Sequence, residues 1–448
     1  MNFGGSNHRP KSDGGISAEK SPRSGGSLSS FFSSFFGGDS NNGSASMTIS
    51  NNSVASSSKL SSSDKKSSPI VEENSPSGEE SSYLDKSSEP SWHRTQYETM
   101  ITADNVEASQ LRDLSWRGVP QEFRPQAWQM MLGYLPTNKS RRIAAIAKKR
   151  NEYEDSIPVY FDQNVQSIEK TPQELELLRQ IQVDLPRTSP ELLFFHQKPL
   201  QRMMERILYI WSIRHPASGY VQGMNDLLTP LLLVATQPYL LQGGGNKQAI
   251  GVNGTSSRNR ASEKSTGRVH SATDVLRFDI DKLDSTALIE IEADAYWKFT
   301  KLLDGVQDHY TFSQPGLQRM VLRLEDLMRR HCPSLNDHFE SEGIQYMQFA
   351  FRWMNCFLLR EVPLQCILRL WDTYFAEEQK GFENFHVNVC AVLLKTFEEK
   401  LIDMPFQDII MFLQELPTQD WGEQEIDEIL GQAYILSTLY DNAKLGDS

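Results

Sequence analysis

Two short strings carry side chains with clear chemical uses. Ile181-Gln-Val-Asp184-Leu-Pro-Arg187 ends on an arginine, and Gly219-Tyr220-Val-Gln222-Gly223-Met-Asn225 sets a glutamine between glycines. A guanidinium offsets charge on a transferring phosphoryl group, and a carboxamide orients an attacking water. Hydrolysis of GTP on a GTPase draws on both. The 448 residues contain no G-x-x-x-x-G-K-[ST] phosphate loop. The pair therefore reads as chemistry lent to another protein, not spent on a nucleotide held here.

Each string also has a plainer reading. Thr171-Pro-Gln-Glu174 has the form of a capping box, with Pro at the first helical position and Glu at the third. Leu175, Leu178 and Ile181 mark the buried face of the helix that follows. Pro186 biases Leu185 away from helical geometry, so the helix ends there and Arg187 projects from its end. Asp184 is close enough to hold the guanidinium by a charge-assisted pair. Taken alone, this is a structural Arg–Asp pair at a helix terminus. Gly219 and Gly223 permit backbone turns that other residues resist, and Asn225 is a candidate cap for a helix carrying Leu227 and Leu228. Taken alone, Gln222 caps backbone groups in an inter-helix turn.

Other chemistries find no support. There is no H-E-x-x-H helix and no G-x-S-x-G elbow, and the nine histidines are not paired at metal-ligand spacing; no metal site is expected. His331, on an apolar stripe beside Cys332, reads as a core residue. Cys332, Cys356, Cys366 and Cys390 form no C-x-x-C pair, which suits reduced core cysteines of an intracellular protein. The net charge of -13 argues against nucleic-acid binding and against a polybasic membrane anchor. The longest apolar run, about Leu231 to Ala235, falls far short of the ~20 residues of a membrane helix, so no transmembrane segment is expected. The first residues show neither a signal-peptide pattern nor a myristoylation glycine, and Asn51-Asn-Ser53 is then a chance glycosylation match. The basic cluster Arg141-Arg142 to Lys148-Lys149-Arg150, interrupted by Ile143 and Ile146, reads as a solvated helix face; contact with an acidic partner is the sharper alternative.

The elements that must position the two strings are helices. Leu200, Met203, Met204, Ile207, Leu208 and Trp211 make one apolar stripe, with Pro199 in its first turn and Pro216 as its stop. Leu288, Ile291, Ala295, Phe299 and Leu302 make a second; Leu317, Met320, Val321, Leu324 and Met328 make a third. Leu364 to Phe375 and Val387 to Phe397 read as buried helices, and Trp297, Trp353 and Trp371 as core. No period-2 run bounded by hairpin turns occurs, so the expected class is all-α. Residues 1 to 90 hold 29 serines and bury too little to fold, giving a disordered tail over 1–91 before a helical domain over 92–445. Within the tail, Phe31-Phe32-Ser-Ser-Phe35-Phe36 is either a short linear motif or a chance cluster. Arg9-Pro-Lys-Ser12 and Lys20-Ser21-Pro-Arg23-Ser24 are candidate sites for a regulatory kinase or phospho-reader. The polar stretch 242–272 reads as a disordered insertion within the domain, or else as a linker between two domains.

Taken in order, the strings form one pattern. Trp116-Arg117-Gly118-Val119-Pro120 precedes Arg124 and Trp128. Then come Ile181-x-x-Asp184-x-x-Arg187, Tyr220-x-Gln222-Gly-Met-Asn225, Glu292-Ala-Asp294-Ala-Tyr-Trp297 and Leu370-Trp371-Asp372. This order resembles the TBC domain of GTPase-activating proteins for Rab GTPases, over about residues 112–400. It is most similar to the branch of the yeast Golgi Ypt activator and its plant and animal relatives. The resemblance implies a V-shaped all-helical domain that receives a GTP-bound Rab. It implies Arg187 as an arginine finger, Gln222 as the residue that orients water, and Asp184, Tyr220 and Asn225 as orienting or partner-binding residues. Trp116, Arg117, Gly118 and Trp128 would be scaffold. The chain itself would carry no cofactor, since GTP and magnesium belong to the Rab. A cytoplasmic location, peripheral to Golgi or other endomembranes, and a part in vesicle trafficking are implied as well. The alternative is a non-catalytic Rab-binding or scaffold protein.

Overall fold

The computed structural model describes residues 91–161, 170–240 and 272–446. The chain divides into two units, Met1–Ser82 and Tyr83–Ser448. The first lies outside the described residues, as do the Phe31–Phe36 string, the candidate phosphorylation sites and residues 241–271. Ala272, the last position of the expected insertion, begins a helix.

The described residues are all-helical and contain no strand, only an isolated bridge between Asn105 and Asn138. In chain order the helices are α1 (Ser91–Thr102), α2 (Ala108–Ser115), α3 (Arg124–Met131), α4 (Lys139–Tyr160), α5 (Pro172–Asp184), α6 (Lys198–Arg214), α7 (Met224–Leu240), α8 (Ala272–Leu276) and α9 (Ser285–Gly305). They continue with α10 (Pro315–His331), α11 (Pro333–Glu342), α12 (Met347–Cys356), α13 (Leu364–Ala376), α14 (His386–Thr396), α15 (Glu398–Leu401), α16 (Phe406–Gln414) and α17 (Glu423–Gly446). Short 3₁₀ turns follow α5 (Leu185–Arg187) and precede α6 (Leu193–His196).

The apolar stripes fall where the packing needs them. The α6 stripe is wholly buried, and α7 is buried on every side, as expected of a helix that is hydrophobic all round. Helix α9 lies against α7 and α4, α10 against α12 and α14, and α17 against α14 and α13. All four cysteines are free and buried, and Trp297, Trp353 and Trp371 are core residues.

Buried carboxylates tie distant helices together. Asp372 of α13, fully buried, accepts from the Val119 amide at 2.8 Å, Arg124 Nη2 at 2.8 Å and Trp128 Nε1 at 2.7 Å. Glu292 of α9 accepts from Tyr153 and Arg206, and Asp294 accepts from Gln129, Tyr134 and Arg150.

Two expectations need correction. The basic cluster on α4 is not simply a solvated face. Arg142 is buried and donates to the carbonyls of Ile101, Pro136 and Thr137, while Arg150 pairs with Asp294 and Glu290. Charge patterning along one helix does not reveal acceptors supplied by other segments. His331 is exposed, not core, because it is the last residue of α10, where the stripe has run out.

Lys298 of α9 is fully buried and its ammonium has no hydrogen-bond partner. Burial pushes its pKa down to about 8, with Asp294 pulling the other way. The unfolded chain holds this proton up to about pH 10.5, so the charge costs stability below pH 8, and that cost fades as pH rises from 8 to 10.5. Lys298→Met is expected to stabilise the fold by about 2–3 kcal/mol at pH 7 and by little at pH 10. Urea unfolding at the two pH values checks this; coincident curves at pH 7 would refute it.

Candidate functional site

Helix α5 opens on the expected capping box. The Glu174 amide donates to Thr171 Oγ1 at 3.2 Å, and the Thr171 amide donates to Glu174 Oε2 at 2.7 Å. The helix ends at Asp184, but Leu185 keeps right-handed helical angles (φ -59°, ψ -46°) despite the proline after it. Tertiary packing overrides the local bias: Leu185 is buried and its amide bonds to the Ile181 carbonyl. The chain therefore coils on through one 3₁₀ turn, which brings Arg187 back over Asp184. Leu175 is exposed and does not join the buried face.

Asp184 is the pivot of the site. Its side chain is 6% exposed, while that of Arg187 is 45% exposed. Arg187 Nη2 donates to Asp184 Oδ1, and the Tyr220 hydroxyl donates to Asp184 Oδ2 at 2.6 Å. Burial, and then Asp184, push the Tyr220 phenol well above its usual range. It therefore stays a proton donor to the carboxylate at any physiological pH.

The same phenol lies 3.1 Å from Asn225 Oδ1, which accepts the Gly223 amide at 3.0 Å. Asn225 Nδ2 donates to Thr188 Oγ1 at 2.9 Å, and Thr188 Oγ1 donates to the Asp184 carbonyl at 3.0 Å. The two strings are thus one hydrogen-bonded unit, with Arg187 at one end and the Gln222–Gly223 turn at the other. Asn225 sits inside the first turn of α7 and joins the two loops, a larger task than the helix cap expected of it.

Gln222 is half-buried. Its main-chain carbonyl accepts Asn355 Nδ2 at 3.0 Å. Gly223 has φ +105°, and a Cβ there would stand 2.4 Å from Asn355 Nδ2. Gly223→Ala would combine a disfavoured backbone with a clash. It is expected to destabilise the fold by about 2 kcal/mol or more and to disorder the turn that carries Gln222. Thermal melting checks the first effect; an unshifted melt would show that the loop yields at no cost.

Beneath the turn, Asp226 accepts from Arg360 Nη2 at 2.7 Å and Nε at 2.9 Å. Burial raises the Asp226 carboxyl, and Arg360 opposes the rise. Thr188, Asp226, Asn355 and Arg360 were not found by sequence reasoning. Asp226 follows Asn225 directly and could have been suspected. Asn355 and Arg360 lie more than a hundred residues away with no spacing signal.

The scaffold string lies along α13. The Trp116 carbonyl accepts Thr373 Oγ1 at 2.9 Å, and Trp116 Nε1 donates to Glu377 at 2.7 Å. Gly118, at φ +102°, sits against the Arg369 side chain. Trp128 bonds to Asp372. Arg117 is exposed and makes none of these bonds.

Among the described residues, Asp308, His309 and Glu383 form one group with metal-ligand atoms within 4.8 Å of one another. Arg319 already pairs with Asp308 and lies 3.8 Å from Glu383. A guanidinium thus already supplies positive charge beside the two carboxylates.

A profile of the Rab-GTPase-TBC domain matches residues 121–402. The chain is 42% identical over 347 residues to "GTPase-activating protein gyp1" of Schizosaccharomyces pombe, covering 78% of this chain and 61% of that protein. It is 40% identical over 348 residues to human "TBC1 domain family member 22B", covering 78% of this chain and 62% of that protein. The chain thus spans less than two thirds of the length of these relatives. Among solved structures, the Ypt/Rab-GAP domain of Gyp1p matches with a TM-score of 0.67 and 35% identity, over 78% of this chain and 98% of that one. The profile covers well over half of the sequence, the relatives align across it at high identity, and the helical framework is shared. The chain therefore belongs to the Rab-GTPase-TBC domain family.

Proposed function

We propose that this chain stimulates GTP hydrolysis by a Rab-family GTPase, lending Arg187 and Gln222 to a nucleotide and magnesium that the Rab holds. One observation carries the reading: a half-exposed guanidinium and the turn of a half-buried glutamine are tied together through Asp184, Tyr220 and Asn225. The names of the relatives as GTPase-activating proteins support it.

Asp184 engages Nη2 of Arg187. A guanidinium has further N–H donors, and these would meet the phosphoryl oxygens as negative charge shifts onto them. Gln222 would align the attacking water with its carboxamide. The Arg187 guanidinium and the main chain that carries Gln222 are both held before the partner arrives, which reduces the ordering left for the transition state. The domain would work as a peripheral protein at Golgi or other endomembranes and end the GTP-bound signal there in vesicle trafficking. No described helix is long and apolar enough to cross a membrane.

The test is single-turnover hydrolysis with a panel of GTP-loaded Rabs. Acceleration of at least one by about 10³-fold or more is expected. If none is accelerated, the reading fails. Tight binding to a GTP-loaded Rab with unchanged hydrolysis would make the chain a binding module instead.

A further inference from the structure

The glutamine turn is gripped from a part of the chain 133 residues away. Helix α12 ends at Cys356, and the two residues after it, Phe357 and Leu358, both have left-handed backbones (φ +48° and +63°). Helices commonly leave by a left-handed residue, but that residue is usually glycine. Two bulky residues in this region cost roughly 1–2 kcal/mol each. They are held there by burial and by packing of Phe357 against His309, Phe382 and His386.

This sharp turn has two results. It carries Arg360 round onto Asp226, and it leaves Asn355 and Cys356 facing Gly223 at the end of α12. Asn355 is buried. Its own carbonyl accepts the Tyr310 hydroxyl at 2.9 Å, its Nδ2 donates to the Gln222 carbonyl at 3.0 Å, and its Oδ1 has no hydrogen-bond partner. Leaving a buried acceptor unpaired costs about 1–3 kcal/mol, a poor choice for packing alone. The strong bond this side chain makes is the one to Gln222.

We propose that Asn355 is a positioning residue for Gln222. Its amide holds the Gln222 peptide in one orientation and so aims the carboxamide that aligns the water. The proposal rests on the function given above and adds a residue to it.

The experiment is a double-mutant cycle in the full chain, using whichever Rab the panel shows to respond. Asn355→Ala is made in the wild type and in Gln222→Ala. In the wild type it is expected to lower the single-turnover rate at saturation by about 10²-fold, the scale of a 1 Å misplacement. The Kd for that Rab loaded with a non-hydrolysable GTP analogue should change less than about 3-fold. In Gln222→Ala, the further loss should be below about 2-fold, because the group being aimed is gone. Asn355→Asp keeps the shape but turns an acceptor oxygen toward the carbonyl, and it should behave like Asn355→Ala. Equal losses in both backgrounds, or a wild-type rate from both variants, would overturn the proposal. So would unfolding of both variants, which would make Asn355 a folding residue. A wild-type chain that accelerates no Rab sinks the parent reading, whereas an active wild type with additive losses sinks only this one.

Discussion

Arg187→Ala is expected to lose about 10³-fold or more of the stimulated hydrolysis rate, within the general range for an arginine finger supplied in trans, while the domain melts almost as the wild type does. The two halves of this expectation have separate causes. The rate falls because nothing else in the two strings brings a cation to the phosphoryl group; Asp184 and Tyr220 offer a carboxylate and a phenol. Stability is retained because the Arg187–Asp184 pair is half-exposed on the arginine side, and such pairs contribute roughly 0–1 kcal/mol. Asp184 also keeps its bond from Tyr220. Arg187→Lys should not rescue the rate, since a point ammonium does not reproduce the planar fork of donors. Single-turnover hydrolysis beside a thermal melt tests both halves. Wild-type acceleration from the alanine variant would remove Arg187 from the mechanism; a large drop in melting temperature would make it structural.

Asp372→Ala should do the reverse. The carboxylate is fully buried and accepts from a backbone amide, an indole and a guanidinium at once. Taking it away removes the acceptor from the Val119 amide and the Trp128 indole, and the counter-charge from beside the buried Arg124. Breaking a buried pair in this way costs about 3–5 kcal/mol, enough to lower the melting temperature by roughly 10 °C. Asp372 is distant in sequence from all three groups it serves, so the variant should loosen the joint between α13 and the segment from Gly118 to Trp128. At a temperature where the variant is still folded, hydrolysis should remain largely intact, because this cluster shares no bond with Asp184, Tyr220 or Asn225. A melt within a degree of wild type would show that the cluster is dispensable. A collapse of activity without a change in the melt would tie it to the site.

Taken together, the two variants separate the parts of the molecule. One removes a side chain that faces outward and leaves the helices intact. The other removes a charge that no partner protein can reach.

Much of the helical framework was legible in the amino-acid order. The 3.6-residue stripes of α6 and α10 report burial directly, whereas α9 is buried all round from Ile291 to Thr300 with Leu288 of its stripe only half-buried. The Thr171–Glu174 box and Pro199 mark helix starts through local bonds and local sterics. These are short-range effects, so a string of residues contains them. The order of the TBC strings likewise carried the family. The same local logic failed wherever a distant segment intervened. Leu185 stays helical before a proline because its side chain is buried and its amide is already engaged. Arg142 is buried because the Ile101 carbonyl, 41 residues away, and the Pro136 and Thr137 carbonyls just before α4 receive it, and His331 is exposed because the buried stripe of α10 ends at Met328.

The candidate site divides along the same line. Arg187 and Gln222 could be singled out from two strings because their types suit the chemistry, and the resemblance to the TBC pattern added Asp184, Tyr220 and Asn225 as orienting or partner-binding residues. That the strings form one network is a matter of long-range geometry: Asp184 and Tyr220 are 36 residues apart, and Asn225 and Thr188 are 37 apart. The grip of Asn355 on the Gln222 peptide, and of Arg360 on Asp226, follows from a left-handed turn after α12 that no propensity favours. Residue order by itself determined which groups were present and which helices would carry them. Tertiary structure alone decided which of those groups meet, because hydrogen bonds between distant segments form only once burial of the apolar faces has brought the helices together.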